Sequence, residues 1–116
     1  MDREFVNKWL DKLKEYWYNK DYKQAASLFV KTTFYQETPF DQPYTTYEEI
    51  EEEWKSIQNQ NIQAIDFKVL AIEKDTAIVE WSFIDGQLEF NGIYEIKFND
   101  EKKCIYFKSW EMEKGK

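Results

Sequence analysis

Tyr35-Gln-Glu-Thr-Pro-Phe-Asp-Gln-Pro43, closed by Thr46-Tyr-Glu-Glu-Ile-Glu-Glu-Glu-Trp54, is the stretch on which the reading of this chain turns. The run Lys31 to Glu37 is rich in Thr, Phe and Tyr and suits a strand. Pro39 and Pro43 then bracket a loop, because neither residue fits a helix interior. Thr46-Tyr-Glu-Glu49 has the spacing of a capping box, with Thr and Glu able to satisfy each other's backbone donors. Tyr47, Ile50, Trp54 and Ile57 define the apolar face of the helix that follows. Glu48, Glu49, Glu51, Glu52 and Glu53 crowd its first turns, where the helix dipole favours anions. They read as a solvated acidic face; the rival reading, a metal site, lacks any histidine to support it.

Two helices precede this stretch. Phe5, Trp9, Leu13 and Trp17 recur every four residues with Val6 and Leu10 beside them, and Asp2 is placed to cap the first turn. Asp21 with Gln24 starts a second helix, whose apolar positions Tyr22, Ala25, Ala26 and Phe29 carry it to about Val30. After Ile62 the period changes to two. Strands are expected over 62–73, 76–84, 88–98 and 104–112, with turns at Lys74-Asp75, Asp85-Gly86 and 99–102. A two-residue turn at Asp85-Gly86 pairs Phe83 with Leu88 and Trp81 with Phe90, which puts all four on one face. In the last strand, Tyr106 and Trp110 share one face and Ile105 and Phe107 the other. The expected architecture is α+β, with helices on one face of an antiparallel sheet.

The chain has 116 residues, the size of one domain, and 19% aromatics, enough for one core. A formal charge of −7 leaves no basic footprint for nucleic acid. No apolar run is long enough to span a membrane and no signal peptide is visible. One cysteine, Cys104, rules out an internal disulfide and is compatible with the cytoplasm; it reads as a small core hydrophobe. There is no histidine, a single arginine (Arg3) and no glycine-rich phosphate loop, so no cofactor or metal is expected.

The order and spacing of several marks resemble the nuclear transport factor 2-like superfamily and its SnoaL-like domains, from about Phe5 to Met112. The marks are Asp21, Ala25 and Leu28-Phe29, then Glu37-Thr-Pro-Phe40, then Trp54 ending the third helix. Asn91-Gly-Ile-Tyr-Glu-Ile-Lys-Phe98 and Ser109-Trp110 complete the set. The resemblance implies a single domain over 1–116, a curved antiparallel sheet closed by three N-terminal helices into a cone. It also implies a pocket in that cone, faced by Leu13, Phe29, Trp54, Tyr94 and Trp110, with Trp81 and Phe83 on the same side of the sheet.

The ketosteroid isomerases of this superfamily use an Asp base before the proline that follows the first strand, with Tyr and protonated Asp donors. Here Thr38 holds the base position, and Leu13 and Tyr94 fall near the two donor positions. The departures argue against enzyme activity of the known kinds, steroid isomerisation included, because a hydroxyl is no base near neutral pH. Candidate acids for any other chemistry are Glu37, Asp41, Asp66, Glu80, Glu95 and Glu111, with Asp41 placed first. Glu80 and Glu95 lie on the less apolar face, in solvent or at an interface.

The leading expectation is a pocket that binds a small apolar or aromatic molecule, unless the aromatics fill the cone as core. The alternatives are an isomerase, cyclase or hydrolase using a pocket carboxylate and Tyr94, or a dimeric interaction module. A homodimer is expected through an outer sheet face carrying Ile78, Ile84, Ile93, Ile105 and Phe107.

Overall fold

The computed structural model describes residues 1–115. Helix α1 spans Arg3–Tyr18, capped by the Asp2 carboxylate, which accepts from Phe5 N at 2.9 Å. Its expected stripe is the buried one: Val6, Trp9, Leu10, Leu13 and Trp17 all face the core. Lys20 ends the helical turn with a left-handed φ of 56°. Helix α2, Tyr22–Ser27, is shorter than its apolar spacing suggests. Beyond Ser27 the amides of Leu28, Phe29 and Val30 bond three residues back, so the chain tightens and turns.

That turn uses up Lys31–Thr33, and the first strand is only β1, Phe34–Gln36. Thr32 Oγ1 donates to Cys104 O at 2.8 Å and Thr33 N to Ile105 O at 3.1 Å, which hands the chain to the last strand. Helix α3, Tyr47–Trp54, begins at the expected capping box and runs into a 3-10 turn over Lys55–Asn59. Strands β2 (Ile62–Glu73), β3 (Thr76–Asp85), β4 (Leu88–Phe98) and β5 (Cys104–Glu113) follow. The five strands lie in the order β1-β5-β4-β3-β2. All neighbours are antiparallel except β1, which runs parallel to β5.

Two registers differ from the sequence expectation. Asp85 pairs with Leu88 and Phe83 with Phe90, so the two-residue loop is Gly86-Gln87. Gly86 has φ 59°, the left-handed value such a loop needs at its first position, and its N–H reaches Asn61 O. Asp85 stays in the strand because its carboxylate accepts from Asn61 N at 2.7 Å. The shift is two residues, so every side chain keeps its face.

The second difference changes faces. A bulge opposite Lys97–Phe98 puts an extra residue into β5: Phe98 pairs with Cys104 but Lys97 with Tyr106. Alternation restarts on the other parity. Phe107 and Ser109 are therefore buried, while Tyr106 and Trp110 are on the outer face. Phe107, expected outside, is core; Trp110, expected inside, is 39% exposed.

The core is aromatic. Phe29 is enclosed by Trp9, Tyr35, Trp54 and Phe107, at ring distances of 5.0–5.9 Å. Helix α1 is tied to the sheet by Arg3, donating to Val69 O at 2.7 Å, and by Tyr18, whose hydroxyl accepts from Ile65 N at 2.8 Å.

Candidate functional site

One end of the cone is left open by the packing. A cavity of about 150 Å³ lies between α1, α3, the 3-10 turn and the inner face of β3–β5. Trp17 reaches it from the end of α1 and Trp54 from the end of α3. Trp81 and Phe83 come from β3, Tyr94 from β4, and Phe107 from β5.

The walls are held in fixed orientations. Trp17 Nε1 donates to Gln60 Oε1 at 2.8 Å, and Trp17 packs edge-on against Trp54 at 5.3 Å. Trp81 Nε1 donates to Ser109 Oγ at 3.0 Å, a buried bond across the sheet. The indole can cross there because residue 92, opposite Trp81 in the ladder, is glycine. A Cβ on Gly92 would stand 2.7 Å from Trp81 Nε1 and would also meet Trp110 O. Trp81 then stacks on Tyr94 at 5.3 Å, with the two rings within 15° of parallel. Trp54 differs from these: its Nε1 is buried with no hydrogen-bond partner.

Four carboxylic acids also line the cavity, Glu37, Glu53, Asp85 and Glu111, and no lysine or arginine does. Glu37 is positioned by the loop between β1 and α3. Tyr35 and Tyr44 exchange backbone hydrogen bonds of 3.0 and 2.8 Å and close that loop. Inside it, Gln36 Nε2 donates to Asp41 O at 2.7 Å and to Pro39 O at 3.2 Å. Glu37 follows Tyr35 on the inward parity and turns its carboxyl into the cone, although part of the residue remains exposed. There burial raises its pKa well above the ordinary carboxylate value. A hydrogen bond with the Glu53 carboxyl and the charges of Glu53, Glu111 and Asp41 push the same way.

The acidity spreads outward from this pair. Burial, then the Glu37 charge, hold the Tyr35 and Tyr94 phenols in their protonated, hydrogen-bond-donating form. Burial raises the Glu111 pKa, helped by Glu113, Asp41 and Glu53. Among the described residues no three His, Cys, Asp or Glu side chains are grouped closely enough to hold a metal ion. The chemical capacity of the site is therefore that of the proton-holding Glu37 carboxyl, bonded to Glu53, and of buried phenols among aromatic rings. It can donate and accept protons, and it can attract positive charge.

The residues expected at the pocket divide. Trp54, Trp81, Phe83 and Tyr94 line the cavity. Leu13 and Phe29 do not: both are fully buried in the helix–sheet core, and Phe29 is walled off by its four aromatic neighbours. Thr38 lies in the loop beyond Glu37, outside the lining, with its carbonyl accepting from Asp41 N at 3.1 Å. Trp110 is on the outer face, a consequence of the β5 bulge. Asp41, first among the candidate acids, is exposed; Glu37 takes the place inside.

Neither Glu53 nor Ser109 is among the pocket residues the sequence suggests, yet Glu53 follows a simple rule. Ile50, Glu53, Trp54 and Ile57 are i, i+3, i+4 and i+7 of one stripe, so Glu53 belongs to the inner edge of α3, apart from its solvated neighbours. Glu37 could have been found by counting two from Tyr35. Glu111 is among the candidate acids of the sequence, but only the bulge turns it and Ser109 to the pocket side.

No protein-family model matches this sequence, and no curated protein matches it. Solved structures do match. A protein of unknown function from Burkholderia xenovorans, described as nuclear transport factor 2-like, superposes with a TM-score of 0.74 at 10% identity, over 93% of this chain and 83% of its own. A steroid delta-isomerase from Pseudomonas aeruginosa gives 0.71 at 15% identity, over 97% and 82%. A SnoaL-like polyketide cyclase from Shewanella denitrificans gives 0.64 at 10% identity, over 91% and 89%. The chain has the nuclear transport factor 2-like fold, also described as cystatin-like. At these identities the likeness is one of fold alone.

Proposed function

We propose that the open end of the cone binds a small molecule with an apolar or aromatic body. The supporting observation is the cavity itself: rigid aromatic walls leave about 150 Å³ unfilled at the place where helices and sheet converge. A dry cavity of about that size in another protein accepts a benzene-sized guest. Removing such a guest from water yields about 25 cal/mol per Å² of apolar surface, before the costs of association. Three tryptophans stand in the wall, so fluorescence titration with small aromatic probes is the direct test, with native mass spectrometry to show any retained molecule. Emission that no probe alters would sink this reading.

A second reading is favoured by one observation, the proton-holding Glu37 carboxyl in the same pocket as the Tyr94 phenol. That pair fits an acid–base enzyme acting on a small substrate, with Glu37 transferring the proton and Tyr94 donating a hydrogen bond. The expectation that steroid isomerisation is absent rested on Thr38 and now rests on size, since a four-ring steroid exceeds a benzene-sized cavity. Proton exchange at the α-carbon of a small aryl ketone that is abolished in Glu37→Gln would establish the enzyme reading, and its absence would sink it.

The protein is further proposed to be a cytoplasmic homodimer. The single cysteine is buried as a free thiol, and no helix of the described residues is long and apolar enough to cross a membrane. On the outer sheet face Trp110 pairs with Ile93, and Met112, 71% exposed, lies beside them.

A further inference from the structure

We infer that the cavity selects a small organic cation: a protonated amine whose aromatic body lies among the tryptophans and whose ammonium group sits between the Glu37 and Glu53 carboxyls. This rests on the pocket-binding reading above and specifies the chemistry of its guest.

Three observations meet at one place. The first is uncompensated charge. Glu37, Glu53, Asp85 and Glu111 line the cavity, and the ion pairs among the described residues engage Glu4, Asp66 and Glu89 instead. Of the lysines near the open end, Lys20 is held by the carbonyls of Gln58 and Gln60, 3.4 and 2.6 Å away. Carboxyl groups gathered in a low-dielectric site without a cation keep a proton to limit repulsion. A guest that brings its own positive charge can take the proton's place and gain charge-assisted hydrogen bonds.

The second observation is the nature of the walls. Trp81 stacked on Tyr94, together with Trp54, Phe83 and Phe107, offers the electron-rich ring faces that attract organic ammonium ions. A hydrated metal ion gains little from such walls, and the acids do not converge as metal ligands.

The third is the orphan donor. Trp54 is 6% exposed and lines the cavity, yet its Nε1 bonds to nothing in the protein. Leaving a buried donor unpaired costs about 1–3 kcal/mol. An oxygen on the guest's aromatic body would satisfy it. An amine carrying a phenol or similar oxygen therefore fits both ends of the site.

Three probes with one aryl body separate charge from shape: tyramine, neutral para-ethylphenol and anionic para-hydroxyphenylacetate. Isothermal titration calorimetry reads all three on the full chain. Tyramine should bind at least about tenfold more tightly than either other probe, as expected for a hydrogen bond to a charged group. The Glu37→Gln, Glu53→Gln double variant should bind para-ethylphenol as the wild type does and lose the preference for tyramine.

Tyramine affinity should also rise with pH as Glu37 gives up its proton, while an alkylamine keeps its charge to about pH 9. Besides Glu53 from α3, the groups facing Glu37 are Tyr35 of β1, Tyr94 of β4, Glu111 of β5, and Asp41 and Tyr44 of its own loop. The binding enthalpy should then vary with the ionisation enthalpy of the buffer, reporting the released proton. Equal affinity for tyramine and para-ethylphenol would overturn the cation inference and leave the pocket reading standing. So would tighter binding of para-hydroxyphenylacetate. Binding of none of the three would overturn both.

Discussion

At the scale of single residues, the site is governed by what burial does to ionisable groups. Glu37 has a pKa raised well above 4.5 in the folded protein, first by burial and then by its bond to Glu53. The folded state thus holds this proton more tightly than the unfolded chain does. Its contribution to stability is present in acid and is lost as pH rises from about 4.5 through the folded pKa. Glu37→Gln keeps a neutral hydrogen-bonding group and removes that loss. Its melting temperature should fall less than the wild type's between about pH 5 and pH 8, with a smaller gap at the acid end. Equal pH dependence of the two proteins would mean that Glu37 titrates as a solvated acid. Cys104 shows the same physics without function: burial pushes its thiol up to about 12. An alkylating reagent should leave it unmodified in the native protein and modify it after unfolding in guanidinium, as read by mass spectrometry. Rapid native labelling would contradict the packing around β5.

At the scale of elements, two local devices set the shape of the pocket. The Thr46 capping box starts α3, with Thr46 Oγ1 accepting from Glu49 N at 3.3 Å and the Glu49 carboxylate accepting from Thr46 N at 3.1 Å. The Thr45 amide, then the Thr46 hydroxyl and amide, all donate to the Glu49 carboxylate and hold its pKa below the ordinary value. Thr46→Ala should cost about 1 kcal/mol of stability, measured as a lower urea midpoint at unchanged slope. Because α3 carries both Glu53 and Trp54, a fraying start would also loosen the pocket wall. Gly92 is the second device. Gly92→Ala should cost about 1–3 kcal/mol through overpacking, and should shift the tryptophan emission as Trp81 leaves Ser109. A variant as stable as wild type with unchanged emission would mean that the strand absorbs a Cβ by local movement.

At the scale of the whole molecule, the helices cover one face of the sheet and leave the other outward. That outer face mixes Ile93, Trp110 and Met112 with Glu80, Glu95 and Lys108. Lys108 lies 4.6 Å over the Trp110 ring, so part of the apolar surface is already screened within one chain. Light scattering at micromolar concentration should give twice the subunit mass, and Trp110→Lys should give one subunit's mass. A wild-type monomer would reject the dimer. The bulge in β5 matters here as much as in the cone, because it supplies this face with Trp110 and the core with Phe107.

Local chemistry was enough to place the elements. Apolar spacing located α1 and α3, Asp2 and Thr46 located their starts, and period-two runs located β2 to β5. These signals act between residues a few positions apart, so the chain carries them whatever its tertiary state. The pairing of β1 with β5, the register at Gly86 and the faces of β5 required the assembled sheet. One extra residue in a strand reverses its alternation, and nothing local to Ile105 announces where the partner strand will skip. The pocket belongs to the same second group. Glu37 and Glu53 are sixteen residues apart and look solvated one by one. Only the closure of helices over the sheet brings the two carboxyls together at the wall of the cavity, and that partial burial, which no short-range pattern encodes, makes them a site.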